Sequence, residues 1–226
     1  MAGQGKSKAR REEILKAAQK VFAKKGFHDA TISDVAKRAR VSDTTIYEYF
    51  STKEDLLFSI PLETTRKGLE WEANLNYMRG AANKIRALIY SYLQFYQNNP
   101  DYAAVVMLIL KQNRNFLNTE TYQVIRQGFR IILTVIEEGI AFGEFKKDTD
   151  PYLVRHVMLG AIEHLLIRKL LLGKPEDLLK YVDPLTDLIV EGIKREGKPK
   201  SWNLQIKLEP GEGSEDAVIS PRLIER

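Results

Sequence analysis

The sequence predicts an all-α protein. It comprises an N-terminal three-helix helix-turn-helix domain, a larger C-terminal helical domain for effector binding and dimerisation, and a C-terminal segment that is either a short β arm or a tail. Three observations carry this prediction. Apolar residues recur at spacings of three and four from Ile14 to Ile193, the mark of helices that bury one face. Capping residues and glycine or proline stops punctuate that pattern. After Gly197 the rhythm changes: Trp202, Leu204, Ile206 and Leu208 alternate with polar residues, as in a strand. The expected boundaries are 1–52, 53–196 and 197–226.

The first helix shows Ile14, Ala18, Val21 and Phe22 on one face and stops at Gly26, a residue suited to a left-handed C-cap. Thr31 with Asp34 reads as a capping box, Asp replacing the usual Glu, and opens a second helix through Val35, Ala36 and Ala39. A break at Arg40-Val41-Ser42 follows. Ser42 caps a third helix that turns Ile46 and Phe50 inward. Thr52 with Asp55 is another start signal, and Leu56, Leu57 and Ile60 begin the next apolar face.

In the larger domain Ile85, Leu88, Ile89, Tyr92 and Tyr96 lie on one helix, which Asn98-Asn99-Pro100 breaks. Tyr102 to Leu110 is apolar nearly all round, which predicts central burial. Tyr122 to Ile140 reads as one long amphipathic helix ending near Gly143. Asp150-Pro151 opens another, with Val154, Val157, Ala161, Leu165 and Leu172 on one face and Gly173 behind it. Asp183-Pro184 reads as a cap with proline at the first helical position, followed by Leu185, Leu188, Ile189 and Ile193. Pro210-Gly211-Glu212-Gly213 is a turn signal, and Ala217-Val218-Ile219 returns as a second strand.

Composition narrows the function. The chain has no cysteine, which excludes disulfides, thiolate metal sites and thiol catalysis. No apolar run approaches the roughly 18 residues of a membrane span, and the N-terminus lacks a signal-peptide pattern; the expectation is a soluble cytoplasmic protein without a membrane partner. The first 60 residues carry twelve basic and eight acidic residues, and Lys6, Lys8, Arg10 and Arg11 supply much of the excess. That placement points either to a polyanion partner or to a solvated leader. No phosphate loop, G-x-S-x-G or H-E-x-x-H pattern appears. His156 and His164 stand about 12 Å apart along one helix, too far to share a metal. Neither an enzyme nor a metal or cofactor is expected.

Residues 31 to 50 are the most informative. Two short capped helices across a three-residue turn form a helix-turn-helix, whose second helix fits a DNA major groove. The run from Thr31 through Leu57 resembles the N-terminal signature of the TetR family of transcriptional regulators. The likeness is continuous from Arg11 to Ile60, and the helical layout fits to Arg195. It implies a homodimer that binds operator DNA and releases it when a small molecule enters the larger domain. It also implies roles. Thr31 and Ser42 would contact phosphates, Thr44 and Thr45 bases or backbone, and Tyr47 and Tyr49 phosphates through their hydroxyls. Lys53 would be a phosphate anchor. Where the family usually has Gly, this chain has Arg40, which predicts a positive φ at a non-glycine residue, offset by a phosphate contact. Thr44 departs from the usual Gly or Ala.

For the larger domain, Gly160, Ala161, Leu165, Leu185 and Ile189 are the expected dimer contacts. Tyr96, Met107, Phe116 and Phe129 suit an adaptable apolar pocket and equally an ordinary core. Three segments, 110–116, 136–145 and 158–164, resemble the acyl-CoA-responsive repressors of fatty-acid degradation within the family. That likeness implies an acyl chain along the apolar helices, with Lys111 or Arg114 near an anionic head group. The alternatives are that both cations are solvated loop residues, or that the repressor serves an efflux or other metabolic operon with an unrelated hydrophobic effector.

Overall fold

The structure, a computed structural model, describes residues 2–72, 75, 77–195, 203–210 and 217–224, with side-chain environments for 7–62, 75 and 77–195. The expected Trp202 and the turn at 211–213 lie outside the described residues. Ten α-helices are described: α1 Ala2–Asp29, α2 Ile32–Ala39, α3 Asp43–Tyr49, α4 Lys53–Glu72, α5 Ala81–Asn98, α6 Pro100–Ala104, α7 Glu120–Gly128, α8 Arg130–Ala141, α9 Pro151–Leu172 and α10 Val182–Ile193. Between α6 and α7 the chain runs through a π-helical turn, Val105–Ile109, and two 3₁₀ turns, Leu110–Gln112 and Arg114–Asn118. Two compact units result, residues 1–194 and 195–226. In the second, β1 Asn203–Pro210 pairs antiparallel with β2 Ala217–Ile224, Leu208 opposite Ile219.

The local start and stop signals act as their chemistry dictates. Gly26 takes φ 77° and breaks the end of α1. The Thr31 hydroxyl accepts from the Asp34 amide at 3.1 Å, and the Asp34 carboxylate accepts from the Thr31 amide at 3.0 Å, completing the capping box. Ser42 accepts from the Thr45 amide at 3.0 Å and Asp150 from the Tyr152 amide at 2.8 Å. Gly173 closes α9 at φ 68°.

The first unit holds two apolar cores. One joins α5, α8, α9 and α10 through Ile85, Ile89, Ile136, Met158, Ile162 and Leu185. The other fills the headpiece with Ile14, Phe22, Val35, Ile46 and Phe50, and also takes Leu56, Leu57 and Ile60 of α4 and Tyr102, Val105, Leu110 and Phe116 beyond it. The headpiece core therefore runs past residue 52. The apolar stretch from Tyr102 is shared: Val105 packs into the headpiece, Met107 into the larger core.

Three sequence expectations are corrected. The helix expected from Tyr122 to Ile140 is two, α7 and α8, because Phe129 leaves helical geometry at ψ −4°. Asp183 does not cap α10, which begins at Val182; its carboxylate instead takes the Arg86 guanidinium at 2.5 Å. The inward row of α9 is Val154, Met158, Ile162 and Leu166, whereas Val157 and Leu172 face outward.

One closure is wholly tertiary. Gly80 precedes α5 without a side-chain cap, and Glu144, 63 residues after Ala81, accepts the Ala81 amide at 2.8 Å. Beside it the buried Phe145 ring lies against Gly139, where a Cβ would meet ring carbon at 2.3 Å.

Candidate functional site

Helices α2 and α3 form the helix-turn-helix, joined by Arg40, Val41 and Ser42. Arg40 sits at φ 57°, ψ 46°, and is exposed. The positive φ expected from the sequence is present at a residue with a Cβ. The Ser33 hydroxyl donates to the Asp43 carboxylate at 2.5 Å, tying one helix to the other. Lys25 of α1 holds Asp34 at 2.6 Å. That hydrogen bond first, then those from the Thr31 amide and hydroxyl, lowers the Asp34 carboxyl to about 2. Neither cross-link shows in the sequence, because each joins residues nine or ten apart.

The outward face of α3 presents Asp43, Thr44, Tyr47 and Glu48; Tyr47 is 55% exposed. Ile46 and Phe50 are buried beneath them. Thr45 is half-buried, with its hydroxyl 2.9 Å from that of Ser42. Tyr49 is half-buried beside the Phe50 ring. Thr31 and Ser42 are exposed at their helix starts.

Lys53 is more engaged than its expected role suggests. Its ammonium donates to the carbonyls of Phe27 at 2.8 Å, Ala30 at 2.9 Å and His28 at 3.4 Å, over the Phe27 ring. It thus caps the broken end of α1. A phosphate at Lys53 has to share this ammonium with backbone carbonyls.

Behind the headpiece lies a cavity of about 1060 Å³. Tyr96, Met107, Lys111, Phe116 and Phe129 line it, as do Tyr92, Tyr102, Tyr122, Ile125 and Leu159. Arg114 does not. It lies in the 3₁₀ turn that follows and is exposed, so of the two expected head-group cations only Lys111 reaches the wall. The headpiece contributes Glu12, Leu15, Lys16 and Gln19 of α1 to the same wall, and α4 contributes Ile60 and Pro61. Aromatic pairs organise the interior: Tyr92 stacks on Phe129 at 5.6 Å and Tyr96 on Tyr102 at 6.0 Å. Lys111 is ion-paired with Glu163 of α9. No group of three or more metal-binding side chains exists among the described residues.

A third surface is the outside of α9 and α10. Tyr152, Leu153, Val157, Leu171 and Leu172 are exposed there, with Leu188 at 72%. Gly160 is exposed with open space around it. Ala161 and Leu165 are half-buried. Leu185 and Ile189, expected as dimer contacts, are only 7% and 5% exposed and belong to the chain's own core. One helix position is 100° of rotation, so Leu188 is exposed where the adjacent Ile189 is buried.

Residues 14–60 match the model of bacterial regulatory proteins of the tetR family, and residues 70–192, more than half the chain, match that of the YsiA-like protein C-terminal region. The fatty acid metabolism regulator protein of Bacillus subtilis is 29% identical over 182 residues, covering 80% of this chain and 94% of its own. The crystal structure of the transcriptional regulator FadR from Bacillus subtilis in complex with stearoyl-CoA superposes with a TM-score of 0.72 at 29% identity, covering 80% of this chain and 98% of that one. The fatty acid degradation regulator FadR from Bacillus halodurans gives 0.71 at 27% identity, covering 81% and 99%. With its capped helix-turn-helix and helical C-terminal region both matched, this chain belongs to the TetR family of bacterial transcriptional regulators.

Proposed function

We propose that the chain is a homodimeric repressor that leaves its operator when a long-chain acyl-CoA enters the cavity. One observation carries the reading: a single apolar cavity has walls from both α1 of the headpiece and the helices of the larger domain. A ligand that fills it touches the element that braces the DNA-reading helices. Its size is at the upper end of ligand cavities, about 300–1,000 Å³, which suits a long chain. Lys16, Arg126 and Arg155 also line it and have no carboxylate partner among the described residues, which leaves cations for phosphates. The likeness to a regulator crystallised with stearoyl-CoA supports the same ligand class.

In this reading Thr44 and Thr45 meet bases or the backbone, while Thr31, Arg40, Ser42, Tyr47, Tyr49 and Lys53 meet phosphates. Phosphate contacts set affinity and base contacts set preference. Two protomers pair through the outward faces of α9 and α10, which sets their recognition helices about 34–36 Å apart, or a somewhat stretched version of that spacing. The ligand acts by population shift: it binds better to a conformation whose two α3 helices no longer match successive grooves.

The test is an anisotropy titration of DNA from upstream of the chain's own gene, at two salt concentrations, with and without a long-chain acyl-CoA. Saturable, salt-sensitive binding stronger than to scrambled DNA, reversed by the acyl-CoA, is the expected result. Binding that persists in saturating acyl-CoA defeats the effector assignment.

A further inference from the structure

Lys111 differs from the other cations of the cavity wall. It follows the π turn at the end of the most apolar segment, and Glu163 of α9, 52 residues away in sequence, is its ion-pair partner. Lys16, Arg126 and Arg155 have no such partner among the described residues. Tyr96 shares the wall with the pair. Burial, with the Glu163 charge adding to it, pushes its phenol well above the ordinary range, so it remains a neutral O–H donor. This part of the wall is therefore polar and electrically balanced.

A balanced pair discriminates by charge. A carboxylate placed here is attracted by Lys111 and repelled by Glu163 at comparable range, so the two Coulomb contributions largely cancel. It also loses hydration without gaining an unopposed cation. An uncharged carbonyl meets no such opposition and can accept a hydrogen bond from the tyrosine or the lysine.

Resting on the reading of this cavity as the effector site, we propose that Glu163 is a specificity-determining residue. By neutralising Lys111 it weakens carboxylate binding at this part of the wall and favours acyl chains whose carbonyl is uncharged, such as thioesters, over free fatty acids.

The experiment is calorimetric titration of the full chain with myristate and with myristoyl-CoA, for the wild type, Glu163→Gln, Glu163→Ala and Glu163→Gln with Lys111→Met. Operator release by myristoyl-CoA is followed alongside. Freeing Lys111 should tighten myristate by about tenfold or more, the scale of one hydrogen bond to a charged group. The double variant should lose that gain. Thermal unfolding identifies any variant that fails to fold, and the two single substitutions substitute for each other. Myristate that binds the wild type as tightly as the Glu163 variants, or a gain that survives removal of Lys111, overturns the proposal. If myristoyl-CoA fails to release DNA from the wild type, the acyl-CoA reading falls, and the myristate affinities still decide the role of Glu163.

Discussion

Arg40 and Asp34 stand at opposite ends of the same eight-residue helix and carry opposite local energetics. Arg40 holds φ 57° with a Cβ, a conformation that costs about 1–2 kcal/mol. Arg40→Gly removes that strain but enlarges the unfolded ensemble, so urea unfolding should show a gain of up to about 1 kcal/mol. The same variant should bind operator more weakly and with a shallower salt slope if the guanidinium meets a phosphate; unchanged affinity would place the side chain off the DNA. Asp34 is the reverse case. Its folded-state value of about 2 lies below the ordinary 3.8. Its contribution to stability is therefore complete above about pH 4 and disappears as pH falls through 2. Between pH 4 and pH 2.5 the wild type should lose more stability than Asp34→Asn, and equal losses would contradict the assignment. The capping box and the tight turn were legible from residue type, since each forms within a few residues; the Lys25 hydrogen bond, the largest cause at Asp34, joins residues nine apart and was not.

At the level of elements, packing decides what spacing alone leaves open. Gly139 permits the Phe145 ring to lie against α8; an added Cβ would sit 2.3 Å from ring carbon and 2.8 Å from the Ala81 Cβ. Gly139→Ala should destabilise by about 1–3 kcal/mol, as overpacking does, and a melting curve checks this. Pro61 lies within α4 and lines the cavity, and proline deprives the carbonyl four residues back of its helical donor. Because α4 lines the cavity with Ile60 and Pro61 and packs Leu56 and Leu57 into the headpiece core, we propose it as a second lever beside α1. Pro61→Ala should then stiffen α4 and raise the acyl-CoA concentration needed for operator release several-fold. An unaltered release curve would move the lever elsewhere. The α7–α8 break was illegible for a related reason: the apolar spacing continues across Phe129, and its ring stacks on Tyr92 of another helix, a contact no local pattern shows.

For the whole molecule, the exposed apolar face of α9 and α10 matters most. Leu153, Val157, Leu171, Leu172 and Leu188 are large apolar side chains left exposed on these two helices. Under the proposed dimer, Val157→Glu with Leu188→Glu should convert the protein to monomer in light scattering and abolish tight operator binding, while the helical content stays intact. A double variant that remains dimeric would place the interface elsewhere. Leu185 and Ile189, the contacts expected from the sequence, lie in the chain's own core.

The sequence by itself determined the local signals at Gly26, Thr31, Ser42, Asp150 and Gly173, the helix-turn-helix and the positive φ at Arg40. These depend on residues within about four positions of one another, where side-chain chemistry and backbone geometry suffice. Tertiary structure alone decided which side of α9 faces out, that Lys53 clamps the end of α1, that Glu144 caps α5 and that Lys111 meets Glu163. Each of these joins separate helices, and a helix rotated by one residue presents a different side chain with no change in its own periodicity. The cavity belongs to the same class: its lining is drawn from α1, α4, α5, α7 and α9, and it exists only because those helices dock without filling the space between them.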